Sequence, residues 1–289
     1  MEIHEYNKII SFVRNDRGLT QACMKQLVIK FPQYSCDTLY SILSLEYQKR
    51  MKCNYTKTQA NKNKYWVLYQ KAVQEGDSPG IIIRIAEHFD VAPCLIAKLI
   101  LTRHFDTSEE LETKEQGANV NIYLRNTSLL SDMDLAYEVF LCTLYDNIYS
   151  PLTEVMKASL GQQYEVKLHK EVVKHGLAFR DEEHLRRCGY DKTPDCKLEV
   201  PVAVDGFIIN WIESKALFGD EDAHKEYMKN QYLSYWNRFG PGLVIYWFGY
   251  LQTIIEPNDK RFIVRDGFPE NIIHMPSDIF NISNKNQAK

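Results

Sequence analysis

The stretch CKLEVPVAV (196–204), DG (205–206), FIINWIESK (207–215) decides the fold of the C-terminal half. Leu198, Val200, Val202 and Val204 recur at every second position, the period of a strand with one face on a core. Asp205-Gly206 suits a two-residue hairpin turn, which needs positive φ at its centre. Phe207 to Lys215 is then the returning strand. Such a turn sets Val204 opposite Phe207 and Leu198 opposite Glu213. Strict pairing would leave Asp195 on the opposite face from Glu213 and Lys215. Pro201 has no N–H for the ladder, so an interruption is expected between Asp195 and Val204. A one-residue bulge near Pro201 would return Asp195 to the face of Glu213. Alternatively, Asp195 precedes the regular strand and turns inward from the loop after Pro194.

Outward from the hairpin, Ser159 to Gly176 reads as a helix, with Leu160, Tyr164, Leu168 and Val172 at steps of four and Gly176 as its stop. Residues 221–239 read as a Tyr- and Gln-rich helix. GLVIYWFG (242–249) is apolar throughout, as a central strand should be. Ile254-Ile255 and Phe262–Val264 are expected as short strands. The order predicts an α/β domain with a mixed sheet over 156–289. Trp211, Trp236 and Trp247 are expected in its core.

The N-terminal half predicts helices. Leu19 to Lys30 carries helical spacing with Thr20 as its cap, and Ser35 caps a second helix. These form a helix-turn-helix-like region over 1–76. Asp77-Ser78-Pro79-Gly80 breaks it, with Ser78 or Pro79 opening the next helix. IIIRIAEHFDVAPCLIAKLIL (81–101) reads as a second helix-turn-helix pair, with small Ala86 at the close approach and a turn at Phe89-Asp90-Val91. Its second helix offers few base-reading side chains, chiefly Lys98 and Arg103, so backbone contact or plain packing suits it better than sequence readout. Thr107 to Asn126 is acidic (Glu109, Glu110, Glu112, Glu115) and holds Gly117, as a linker or exposed insertion would. Asp132 to Tyr149 reads as a helix with Leu135, Val139, Phe140, Leu144 and Ile148 on one side. The second region spans 77–155.

The 289 residues carry a net charge of −3, with 45% hydrophobic and 25% charged residues. This composition excludes wholesale disorder, collagen and coiled-coil arrays. No run approaches the ~18 apolar residues of a membrane span. The start (Met1-Glu2-Ile3-His4-Glu5) has no apolar run, so no secretory signal and a reducing compartment are expected. The seven cysteines have no CxxC pair and signal neither a disulfide framework nor a zinc knuckle. His169, His175, His184 and His224 lack zinc-site spacing. Residues 1–74 hold 12 Lys/Arg against 5 Asp/Glu, leaving 23 against 33 in the remainder. That asymmetry suits a basic nucleic-acid-binding region and equally two ordinary solvated surfaces. Lys49, Arg50, Lys52, Lys57, Lys62 and Lys64, with Tyr55, Tyr65 and Trp66, could contact phosphates and stack on bases. A solvated loop beside a core Trp reads equally well.

Asp195, Glu213 and Lys215 carry the chemistry. Glu213 and Lys215 are two apart on a strand and share a face. Two acids beside an amine suit metal-assisted phosphodiester hydrolysis, because carboxylates are hard ligands for Mg²⁺ or Mn²⁺ and an ammonium offsets developing charge. A surface ion pair at a sheet edge is the plain alternative. Lys215, at a strand end, is expected to be dispensable for folding.

Thr193-Pro194-Asp195, WIESKALFGD (211–220), Gln231, Tyr235 and GPGLVIYWFG (240–249) resemble the TPD-motif branch of the PD-(D/E)XK nucleases. The resemblance covers most of the chain. It implies a restriction-endonuclease-like, Holliday-junction-resolvase-like C-terminal domain behind an all-α helix-turn-helix half. It implies Asp195 and Glu213 as metal ligands and Lys215 as the catalytic lysine. It also implies Glu165, in Gly161-Gln-Gln-Tyr-Glu165, as the helix-borne acid and a third ligand, and Gln231 as the catalytic glutamine. A solvated helix acid and a helix-packing glutamine are their plain alternatives. Nucleic acid, DNA above all, is the implied substrate, codanin the implied protein partner in erythroid and chromatin biology, and nucleus and cytoplasm the implied location. Binding-only members of the fold leave a codanin-binding scaffold as the competing reading.

Overall fold

The computed structural model describes residues 1–107 and 119–275. By contacts the chain divides into two units, residues 7–159 and residues 160–289 together with 1–6. The acidic stretch read as a linker lies largely outside the described residues, including Glu109, Glu110, Glu112, Glu115 and Gly117.

The first unit is helical: α1 (Ile3–Asn15, of which residues 3–6 count with the second unit), α2 (Thr20–Lys30), α3 (Cys36–Ala60), α4 (Lys62–Gln74), α5 (Ile81–Phe89), α6 (Pro93–Thr107), α7 (Asn121–Arg125) and α8 (Met133–Tyr145). Ser35 caps α3 by accepting from the Thr38 N–H at 3.1 Å. Thr20 does not cap α2; its hydroxyl donates to Asn147 instead. α5 begins at Ile81, later than Ser78 or Pro79, because Gly80 takes a left-handed turn and the buried carboxylate of Glu138 on α8 accepts from Gly80 N (2.6 Å) and Ile82 N (3.0 Å). A cap supplied from 56 residues away leaves no local signal. Ala86 is fully buried in this unit. One core cluster holds Tyr47, Met51, Tyr65 and Tyr69 together with residues from Ile81 to Ile148, so packing is continuous across position 76.

α8 ends at Tyr145, short of Tyr149, because Asp146 turns back to accept from Cys94 N, Ile148 N and Tyr149 N. Phe140 and Leu144 are exposed, while Leu135, Val139 and Cys142 form the buried face.

The second unit is the mixed α/β sheet. Its first helix, α9 (Pro151–Lys174), starts well before Ser159, inside the residues that count with the first unit, with Ser150 accepting from Thr153 N. β1 (Phe179–Asp181), the short α10 (Glu182–Arg187), β2 (Cys196–Val204) and β3 (Phe207–Lys215) follow. Next come α11 (Glu221–Tyr227), a π turn (Met228–Tyr232) and α12 (Leu233–Phe239), which fill the single helix expected over 221–239. β4 (Gly242–Tyr246), β5 (Phe262–Arg265) and β6 (Ile272–Ile273) complete the sheet. Ile254 lies in a 3-10 turn (Gln252–Ile254) and not in a strand.

The strand order is β1-β2-β3-β4-β5, with β6 also on β2. β1, β2 and β3 are antiparallel; β3, β4 and β5 are parallel. β4 is buried throughout, as its apolar run requires. Leu168 and Val172 of α9 pack with Leu198, Ile212, Leu243 and Ile245 of the sheet. Trp211 is fully buried, whereas Trp236 is exposed and Trp247 half-buried.

Pairing runs Val204↔Phe207, Ala203↔Ile208 and Val202↔Ile209, as a two-residue turn dictates. It then breaks and resumes at Lys197↔Trp211 and Cys196↔Ile212. Residues 198–201 thus lie opposite Asn210 alone, an insertion of three residues on β2 and not the single residue expected. Pro201 offers no N–H, Asn210 N donates instead to Pro241 O (2.7 Å), and Glu199 N donates to Ala178 O (2.8 Å), so the ladder's lost bonds are made elsewhere. Val200 is turned out, 53% exposed, while Leu198 and Val202 stay buried.

Candidate active site

An odd insertion inverts the parity of everything before it. Carried one step past Cys196↔Ile212, the register sets Asp195 opposite Glu213. Asp195 also sits in a bend just ahead of β2, as the second route expected, while the first route operates through three inserted residues and not one. Ser214 N donates to Asp195 Oδ2 at 2.6 Å, and Asp195 N donates to Glu213 Oε2 at 3.3 Å. Lys215 Nζ donates to Glu213 Oε1 at 2.5 Å. The same ammonium lies 4.5 Å from the centre of the Tyr227 ring at the end of α11.

Glu213 is only 3% exposed. Burial, then the neighbouring Glu213 charge, pushes the Asp195 carboxyl well above its ordinary range. Burial raises Glu213 too, against the opposing pull of Lys215. Burial works against the Lys215 charge, but the Glu213 carboxylate wins and holds the ammonium above its usual value. Two acids thus face one ammonium in a dry setting, a balance that a divalent cation would complete.

The donor set fits such an ion. Mg²⁺ is usually held by one or two carboxylates and keeps its remaining positions for water and phosphate oxygens. Asp195 and Glu213 are two such carboxylates. Among the described residues no group of three or more His, Cys, Asp or Glu side chains is arranged as a metal site. Glu165 is therefore not assembled with them as a third ligand. It sits exposed on α9, near enough that its charge bears on Asp195. Gln231 lies in the π turn, and its Oε1 is buried without a hydrogen-bond partner.

The basic stretch is helical and not a loop. Lys52, Lys57 and Lys62 are exposed along the end of α3 and the start of α4, as is Lys49. Arg50 is committed to the fold: it pairs with Asp90 at 3.2 Å, donates to Asp16 O at 3.2 Å and lies over Tyr47. Lys64 lies over the Phe89 ring at 4.8 Å. Tyr65 is core, Trp66 stacks on Tyr69, and Tyr55 alone of the three aromatics stands out in solvent.

Sequence reading missed two neighbours of the acid pair. Tyr227 was only one of several tyrosines in its segment. Glu182, on α10, accepts from Thr193 Oγ1 at 3.2 Å, and its charge bears on Glu213. The strand β1 that places it was too short to show a period.

A buried acid, a half-buried acid and a lysine at one end of a mixed sheet define the class: an α/β protein with a carboxylate–lysine site. Residues 131–268 match the family described as "Protein of unknown function TPD sequence-motif". CDAN1-interacting nuclease 1 of Xenopus laevis is 42% identical over 276 residues, covering 94% of this chain and 90% of that protein. The Homo sapiens protein of that name is 41% identical over 256 residues (88% and 90%), and the Danio rerio protein 39% over 276 residues (93% and 89%). No solved structure matches. The chain belongs to the CDAN1-interacting nuclease 1 family.

Proposed function

We propose that this protein is a divalent-metal-dependent nuclease of the PD-(D/E)XK type that hydrolyses phosphodiester bonds of DNA or structured nucleic acid. The observation that carries this reading is the three-residue insertion in β2, which brings Asp195 onto Glu213 beside Lys215. Setting a half-buried acid beside a buried one carries a desolvation cost that a metal site explains. The relatives' shared name, which calls them nucleases, supports the same reading.

Asp195 and Glu213 would hold Mg²⁺ or Mn²⁺. When bound, such an ion polarises the scissile phosphate and lowers the pKa of an attacking water. Lys215 offsets negative charge gathering on the phosphate and orients the water, with Tyr227 fixing its direction. Glu165 contributes negative charge from α9 outside the metal's inner ligands. Gln231 supplies a buried acceptor whose bonding capacity is still open. Lys49, Lys52, Lys57 and Lys62 serve as phosphate contacts. Codanin is the protein partner, following the relatives' name, and nucleus and cytoplasm, which only the resemblance implies, are the proposed places of action.

Cleavage of junctions, flaps, duplexes and single strands, with Mg²⁺, Mn²⁺ or chelator, tests this proposal. Metal-dependent cutting lost in Asp195→Asn and Glu213→Gln is the expected result. A full panel left uncut by the wild type, with no uptake of either metal, overturns it. One observation favours a second reading, a codanin-binding scaffold on a nuclease fold: Lys215 already closes on Glu213, and among the described residues no third ligand joins the acid pair. Metal titration separates the two, since a scaffold needs no ion at this site.

A further inference from the structure

Thr193 is 5% exposed, and a buried hydroxyl needs a partner. Its Oγ1 donates to Glu182 Oε1 at 3.2 Å, and the same oxygen accepts from Arg186 Nη2 at 2.6 Å. Glu182 is itself fixed. The preceding residue, Asp181, pairs with Cys196 across the β1–β2 ladder and caps α10 by accepting from His184 N at 2.8 Å. Cys196 in turn is the residue after Asp195. The loop leaving α10 is thus pinned at Thr193, two residues before the metal-binding acid. Pro194 between them has its φ locked, so a displacement of Thr193 passes to Asp195 with little slack.

We infer that Glu182 is a positioning residue for the acid pair, acting through Thr193, and that this clasp is what the threonine of Thr193-Pro194-Asp195 provides. Arg186 holds the carboxylate, the carboxylate holds the hydroxyl, and the hydroxyl sets where Asp195 enters the site. In this reading neither Glu182 nor Thr193 would be a ligand of the ion. The inference rests on the metal-site reading above, and its test distinguishes failure of one from failure of the other.

The test is Mn²⁺ uptake by the full chain, followed by loss of the free-ion electron paramagnetic resonance signal, with thermal unfolding in parallel. Asp195→Asn sets the floor. Thr193→Val keeps the shape but removes the donor, and should weaken Mn²⁺ binding about tenfold or more, as loss of a ligand-orienting partner does. Thr193→Ser keeps the hydroxyl and should bind within about twofold of the wild type. Glu182→Ala should match Thr193→Val, and the double variant should be no worse than either single one. Thr193→Val binding like the wild type overturns the clasp, while wild-type uptake leaves the metal site standing. Equal weakening of Thr193→Val and Thr193→Ser, in step with lowered unfolding temperatures, assigns the threonine to stability alone and also overturns it. A wild type that takes up no Mn²⁺ overturns the metal site, and the clasp with it.

Discussion

Replacing Lys215 by alanine strands a carboxylate that is 3% exposed. The lysine side chain is itself only 13% exposed, and its Nζ is the hydrogen-bond partner of Glu213 Oε1. Without the ammonium, the site escapes its buried charge by binding a proton. For a glutamate with an unfolded pKa of about 4.3, at about 1.4 kcal/mol per pH unit, that costs at most roughly 4 kcal/mol at pH 7. This ceiling agrees with the roughly 3–5 kcal/mol lost when a buried ion pair is broken from one side. It falls by about 1.4 kcal/mol per pH unit, leaving about 1 kcal/mol at pH 5. Loss of the contact with the Tyr227 ring adds about 1 kcal/mol that does not depend on pH. The sign follows from the acid's raised folded pKa: the folded variant binds more protons than the unfolded chain, so its stability falls as pH rises. Urea unfolding of wild type and Lys215→Ala in metal-free buffer at pH 5, 6 and 7 measures the difference. Glu213→Gln/Lys215→Ala buries no charge there and should lose most of the pH dependence. A loss below about 1 kcal/mol at pH 7, or the same loss at pH 5 and pH 7, would refute the reasoning. It would also restore the expectation, drawn from a strand-end position, that this lysine is dispensable for folding.

Other perturbations are read the same way. Burial pushes the His224 imidazole down to about 4; its contribution is complete above about 6.5 and is lost as pH falls through 4, about 3 kcal/mol in all. Urea unfolding at pH 7 and pH 4 should show that loss, and His224→Gln should flatten it. Gly242→Ala places a Cβ about 2.1 Å from the Trp211 ring, which its Nε1 bond to Gly240 O holds in place; calorimetry should show a loss of about 3 kcal/mol or more. Neutralising Lys52, Lys57 and Lys62 should lower the slope of log affinity against log salt by roughly 0.9 for each phosphate contact on duplex DNA, with stability unchanged. Arg50→Gln should instead lower the unfolding temperature, because that guanidinium ties Asp90 to Asp16 O.

The bounds of β2 and β3 were legible in the sequence because their causes are local. Asp205-Gly206 fixes the turn, and the period-two pattern fixes the strands on either side. The parity conflict at Asp195 was legible as well, since counting residues from a two-residue turn needs no coordinates. The apolar run of β4 announced a strand buried on both faces. What the sequence could not contain were bonds made between distant segments. Glu138 starts α5 from 56 residues away, Asp146 ends α8 by turning toward Cys94, and Arg50 is drawn from the basic stretch by Asp90. The insertion holds three residues and not one because Asn210 finds Pro241 and Glu199 finds Ala178. Local propensity fixed where the strands begin and end. Tertiary hydrogen bonding decided how many residues slip between them, and thereby which face receives Asp195.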